Sequence, residues 1–188
     1  MQKKLISKPA IEPITLDEAK THCRVYGNDD DAYLTALIVA AREIAESSTG
    51  LALITQTWGI YLDGFPCSSI RFPIAPLLTV ESADYVDADG AEQTLDPSAY
   101  VVDDKSRLGR IVAVDSWPTT ADVPNAVTIT ITAGYGQTAD TVPMPIRQAM
   151  LLLIGEMYEN REESVIGVSA AQLPLTAERL LHRYRVYP

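Results

Sequence analysis

A strand-like run from Val127 to Ala133 leads into Gly134-Tyr-Gly136-Gln-Thr-Ala139, the Gly-x-Gly-x-x-Ala spacing of a dinucleotide-binding turn. That chemistry needs a helix starting at the turn, so that its first amides meet the pyrophosphate. Here helical patterning resumes only near residues 143–146, and the place of the acidic ribose ligand falls mid-helix, around Glu156. The segment therefore reads as a glycine-rich turn leaving an edge strand. Asp87-Ala-Asp89-Gly90 has calcium-loop character, but Tyr85 stands where an EF-hand needs an acid, and strands flank it. A hairpin turn accounts for it better. Asp29-Asp30-Asp31 suits a helix start, because adjacent side chains on a helix do not converge on one cation. His22 and His182 are the chain's two histidines, and zinc needs about four converging ligands. Gly167-Val-Ser169 lacks the last glycine of a nucleophile elbow. Among 25 acidic residues, spacing selects no catalytic pair. No catalytic, cofactor-binding or metal-ligating residue is assigned.

The elements that would hold such residues come in the order α-α, β, α-α. Thr15-Leu-Asp-Glu18 is a capping box opening a helix over about residues 15–26. A second helix starts from Asn28 or Asp29 and stops at Gly50, with Tyr33, Leu37 and Ile44 on its core face. The middle region alternates in short pieces punctuated by prolines. Trp58, Ile60 and Leu62 share one strand face, as do Val127, Ile129 and Ile131. Pro143 and Pro145 open a third helix whose core face carries Ile146, Met150, Leu153 and Met157. Residues 161–174 read as a loop, and Thr176 caps a last helix. The expected fold is α+β: a helical part at 1–50, an inserted and mostly antiparallel β lobe at 51–142, and a helical part at 143–188 packing on the first.

At 188 residues and 47% hydrophobic, the chain can bury a sizeable core. It shows neither a membrane-length apolar run nor a signal-peptide pattern, so synthesis in the cytoplasm is expected. Cys23 and Cys67 read as reduced thiols. The net charge of −10 opposes a general grip on phosphate backbones. Positive charge gathers at the ends, in Lys3, Lys4 and Lys8, and in Arg179, Arg183 and Arg185. The basic and aromatic C-terminus suits a solvated amphipathic helix, a protein interface or nucleic acid.

The ordered set "PITLDEAKTHCRV", "DDDAYLTALIVAAREIAESSTG", "FPIAPLLTVESADYVDADG", "ITAGYG" and "VPMPIRQAMLLLIGEMYENRE" resembles the small head–tail connector (adaptor) proteins of tailed bacteriophages, prophages and gene-transfer particles. The resemblance runs over roughly residues 13–185. It implies a structural virion protein without enzymatic activity or cofactor. Such adaptors stand in a ring, commonly of about twelve copies, below the portal. The ring extends the DNA channel and offers a platform to the next tail-proximal connector or stopper protein. Assembly in the host cytoplasm, then residence at the capsid vertex, follows, and a monomer is expected when free. On this basis Asp29, Asp30, Asp31, Asp84, Asp87 and Asp89 are expected to face a channel through which DNA slides without sequence specificity. Arg179, Arg183, Tyr184, Arg185 and Tyr187 are expected to dock on the portal, the last helix ordering on contact. The alternatives are a carboxylate-dependent hydrolase in the β lobe and a DNA-packaging accessory that binds duplex.

Overall fold

The computed structural model describes residues 1–161 and 175–186. Along the chain run β1 (Gln2–Ser7), α1 (Leu16–Cys23), α2 (Asp31–Thr49), β2 (Gln56–Leu62), β3 (Ile70–Arg71), β4 (Leu77–Val86), β5 (Glu92–Thr94), β6 (Tyr100–Asp103), β7 (Arg110–Ala113), β8 (Val127–Ala133), α3 (Met144–Glu159) and α4 (Leu175–His182). The α+β class read from the sequence is borne out. Two compact units form. One comprises Met1–Pro9, Thr55–Tyr135 and Val186; the other comprises Ala10–Ile54 and the described residues of Gly136–Arg185.

In the β unit a five-stranded antiparallel sheet has the order β1-β2-β8-β4-β5, and a smaller sheet the order β3-β7-β6. The strand before Gly134 is thus the central strand, not an edge. Its alternation explains the placement: Val127, Ile129, Ile131 and Ala133 are all buried, while the threonines between them are half-buried on the other face. Register sets Ile129 opposite both Ile60 and Ala83. Ile70, Tyr100 and Ile111 from the small sheet join the same core, together with Phe72. Gly109 allows a close approach there, because a Cβ on it would lie 2.4 Å from Leu77 Cβ. The N-terminal residues, which the sequence places with the helical part, form an edge strand of this sheet. Leu5 is half-buried and the other residues of β1 are exposed, so the segment has too little apolar surface to advertise itself as a strand.

The helical unit brings together a segment before the β strands of the large sheet's centre and a segment after them, Ala10–Ile54 and the described residues of Gly136–Arg185. α3 packs against α1, α2 and α4, and α2 also touches α4. Ala41 and Ala45 of α2 and Ala149 of α3 are fully buried, which permits close helix approach. The core face of α2 centres on Leu34, Leu37, Ile38 and Ala41; Tyr33 and Ile44, read as core, are half-buried at its margin. On α3, Ile146, Met150 and Leu153 are buried as read, while Met157 is half-buried.

The capping box is present: Thr15 Oγ1 accepts from the Glu18 amide at 3.2 Å, and Glu18 accepts from the Thr15 amide at 2.9 Å. α1 stops at Cys23, three residues earlier than expected, with Arg24 in the left-handed region at φ 57°. Arg147 of α3 reaches the same box, donating to Glu18 and, at 3.0 Å, to the Pro13 carbonyl. The Thr15 amide, then the Thr15 hydroxyl and Arg147, hold the Glu18 carboxyl below its usual range against a burial effect of opposite sign. Thr15→Ala is expected to cost about 1 kcal/mol in a chemical denaturation series, with Thr15→Ser near wild type.

Candidate functional site

Among the described residues, the glycine turn and the aspartate-rich hairpin are occupied by structural work, whereas Gly167-Val-Ser169 lies outside them. Gly134 and Gly136 have φ of 145° and 155°, and a Cβ on Gly136 would meet Thr141 Cγ2 at 2.8 Å. The chain then makes a short 3-10 turn over Ala139–Thr141 before α3 begins at Met144. No helix start abuts the glycines, so the dinucleotide reading fails on geometry.

The six aspartates divide between the units. Asp29 is exposed. Asp30 precedes α2 without capping it; its carboxylate accepts from Tyr158 Oη at 2.6 Å and from Arg161 at 3.1 Å. Those two donors, Tyr158 first, keep its carboxyl below the usual range. Asp31 pairs with Lys20 at 2.7 Å. In the β unit, Asp84 accepts from the hydroxyls of Ser82 and Thr94 at 2.7 and 2.6 Å. Asp87 is the keystone of the β4–β5 hairpin. It accepts from the Asp89 and Ala91 amides and from Gln93, and the Ala91 amide does most to lower its pKa. Gly90 takes φ 83°, which confirms the turn. Asp89 is exposed. Asp103, held by Ser106 and then Arg110, has its pKa lowered to about 2.

Among the described residues no group of three or more His, Cys, Asp or Glu side chains is placed to hold a metal ion. A hollow of about 540 Å³ at the sheet edge is lined by Asp84, Glu92, Thr94 and Thr128. Both oxygens of Asp84 are engaged there by hydroxyls. A larger groove of about 740 Å³ runs past Phe65, Cys67, Arg110, Val112 and Trp117. Its floor is ordered by Phe65, stacked on Trp117 at 4.9 Å and edge-on to Tyr85 at 5.6 Å.

At the C-terminus α4 is a formed helix, with Ala177 and Leu181 buried. The expectation that it orders only on contact is corrected: its apolar stripe already has α3 and α2 as partners. Thr176 lies inside the helix, which starts at Leu175, and is not its cap. Arg179, Arg183 and Arg185 are exposed and Tyr184 is half-buried. Tyr187 and the loop read at residues 162–174 lie outside the described residues.

Three arginines went unread in the sequence. Arg42, 4% exposed, is ringed by Glu12, Glu46 and Glu43 at 2.8, 2.7 and 3.5 Å. Arg147 ties α3 to the start of α1. Arg161 lies over Tyr33 and Tyr158, 4.8 and 5.0 Å from the ring centroids. Glu43 and Glu46 beside Arg42, and Tyr158 three positions before Arg161, were the local signals; Glu12, Pro13, Glu18, Asp30 and Tyr33 are remote in sequence from the arginines they meet.

The arrangement is one of surfaces on rigid layers. The model of the phage gp6-like head-tail connector family matches residues 13–93. By fold, the chain resembles a component of the neck of an empty gene transfer agent particle computed with C6 symmetry, at TM-score 0.84 and 25% identity. That likeness covers 100% of this chain and 97% of the other. A chain of the native gene transfer agent virion gives 0.83, and one from the native neck computed with C12 symmetry gives 0.77, each at the same identity and coverage. No curated protein matches the sequence. The resemblance read from the residues is borne out: a head–tail connector family model matches residues 13–93, and the whole fold is like that of a gene transfer agent neck component. This protein's role is that of a structural connector.

Proposed function

We propose that the protein forms a ring below the portal of a tailed-phage-like particle, extends the DNA channel, and joins capsid to tail without catalysing a reaction. The observation that carries this is the whole-length fold match to neck components described with C6 and C12 symmetry. A ring subunit needs lateral surfaces and no reagent cleft, and among the described residues Gly134–Gly136 and Asp87–Gly90 are engaged in turns. The net charge of −10 suits a channel wall that lets phosphate slide past. Asp29 and Asp89, both exposed, are the channel-facing candidates with freedom to act on passing DNA. Asp30, Asp31, Asp84 and Asp87 keep their charge but are tethered.

The portal-facing surface is assigned to Arg179, Arg183, Tyr184 and Arg185, a basic patch on an acidic chain. Truncating α4 would strip buried packing, so charge reversal is the cleaner probe. Arg179→Glu, at an exposed position, is expected to weaken co-sedimentation with the portal by about tenfold or more, with an unchanged melting curve. Undiminished binding would reassign the face.

The decisive experiment is electron microscopy of particles produced without this chain. Filled heads and free tails are expected. Tails attached at normal frequency would overturn the connector role. Duplex binding by the purified protein that weakens steeply with salt would instead favour a packaging accessory.

A further inference from the structure

The two outer strands of the five-stranded sheet carry opposite charge. β1 presents Lys3 and Lys4, with Lys8 just beyond it, and all three are exposed. At the other edge, the β4–β5 hairpin presents exposed Asp89 and Glu92. Lys3 lies 5.7 Å from the centroid of the Trp58 ring. Among the described residues none of these five enters an ion pair within the chain. On a protein of net charge −10, a lysine cluster confined to one strand edge is local and directional.

We propose that these edges are the two halves of one contact between copies of this chain, the basic β1 edge of one copy facing the acidic β4–β5 hairpin of the next. The inference rests on the ring reading above and names its lateral interface. Both patches belong to one sheet in one compact unit, so a copy carries a donor edge and an acceptor edge at opposite ends. A two-fold pairing of identical edges sets Lys against Lys or acid against acid, and is disfavoured. The charge polarity selects the head-to-tail contact, the kind that propagates and closes into a ring. Side chains make the contact. A strand ladder continued through the junction would carry the sheet's twist of about 20–25° per strand from copy to copy, and that winds a screw. The lysines on β1 also deter indiscriminate strand addition to an exposed edge.

The test uses two full-length variants. One carries Lys4→Glu and Lys8→Glu, making the β1 edge acidic. The other carries Asp89→Lys and Glu92→Lys, making the hairpin basic. None of the four side chains holds a hydrogen bond or ion pair in the fold among the described residues. Self-association is followed by sedimentation at about 0.5 mM protein in low salt, where surface charges are weakly screened. Wild type, a monomer when dilute, is expected to associate at this concentration, and to do so at least about tenfold more weakly at roughly 0.3 M salt. Each variant alone is expected to associate at least about tenfold more weakly than wild type. An equimolar mixture is expected to recover to within about threefold, because acidic β1 edges then meet basic hairpins, and basic β1 edges meet acidic ones, in alternation. Recovery also shows that both variants are folded. Failure of the mixture to recover, or single variants that associate like wild type, overturns the contact. A wild type that stays monomeric also overturns it, while the connector role is judged separately by the particles made without the chain.

Discussion

Phe72→Ala is expected to destabilise the β unit by about 4 kcal/mol, the largest effect of any single truncation considered. Phe72 is fully buried and among the largest such side chains in the molecule. It stands in a core shared by both sheets, with Ile60, Ile111, Leu77 and Ile129. Its surroundings have little room to collapse. Its amide is pinned to the Gly109 carbonyl at 2.8 Å, and Gly109 already abuts Leu77. The neighbouring isoleucines are held in register by two paired partners each or by the small sheet. A cavity therefore persists, and its cost adds to the lost transfer free energy. Phe72→Leu keeps most of the volume and is expected to cost about 1–1.5 kcal/mol. Urea unfolding measures both. A loss below about 1 kcal/mol for the alanine variant would contradict the shared core.

Arg42→Ala is expected to cost about 3 kcal/mol at pH 7. Burial works against the Arg42 cation, but the carboxylates of Glu46 and Glu12 outweigh it and push its pKa up. Removing the guanidinium leaves Glu46 and Glu12 partly buried with their countercharge gone; Glu43, 63% exposed, matters little. The penalty therefore comes from stranded anions more than from a lost favourable pair. Glu12 supplies the pH signature. Burial already raises its pKa despite Arg42, and the variant raises it further. A carboxyl whose folded pKa lies above its unfolded value favours folding at acid pH, and that contribution is lost as pH rises through the folded value. The deficit of Arg42→Ala against wild type should accordingly be larger at pH 7 than near pH 4.5. Adding Glu12→Gln and Glu46→Gln to the variant should recover part of the loss. A pH-independent deficit would mean that lost packing of the Arg42 stem dominates.

Local rules were legible where neighbours in sequence are also neighbours in space. The capping box needs residues three apart, the Asp87–Gly90 turn needs four, and the period-two pattern from Val127 to Ala133 needs one strand. Each was read correctly. The position of that strand was not, because alternation shows which face is buried and says nothing of how many partners flank it. The edge role of Gln2–Ser7 was hidden for the same reason: its pairing with β2 spans fifty residues or more, and four of its six side chains are polar.

The aspartates show the limit at the candidate site. As types they read alike. Asp30 is claimed by Tyr158 and Arg161, over 128 and 131 positions of chain, whereas Asp29 beside it is exposed. Composition could announce an acidic chain, and only folding decided which acids are tethered.

By itself the sequence determined the alternation of textures, the caps and turns, the apolar faces and the resemblance to connectors. These depend on side-chain type and spacing along a few residues, where the backbone's own periodicities do the ordering. Tertiary structure decided that a lysine-rich start becomes a sheet edge, that Arg42 is enclosed by acids, and which charges stand exposed. Those outcomes depend on which remote segments share a core, and that is settled by summed burial across the whole chain and not by any one stretch of it.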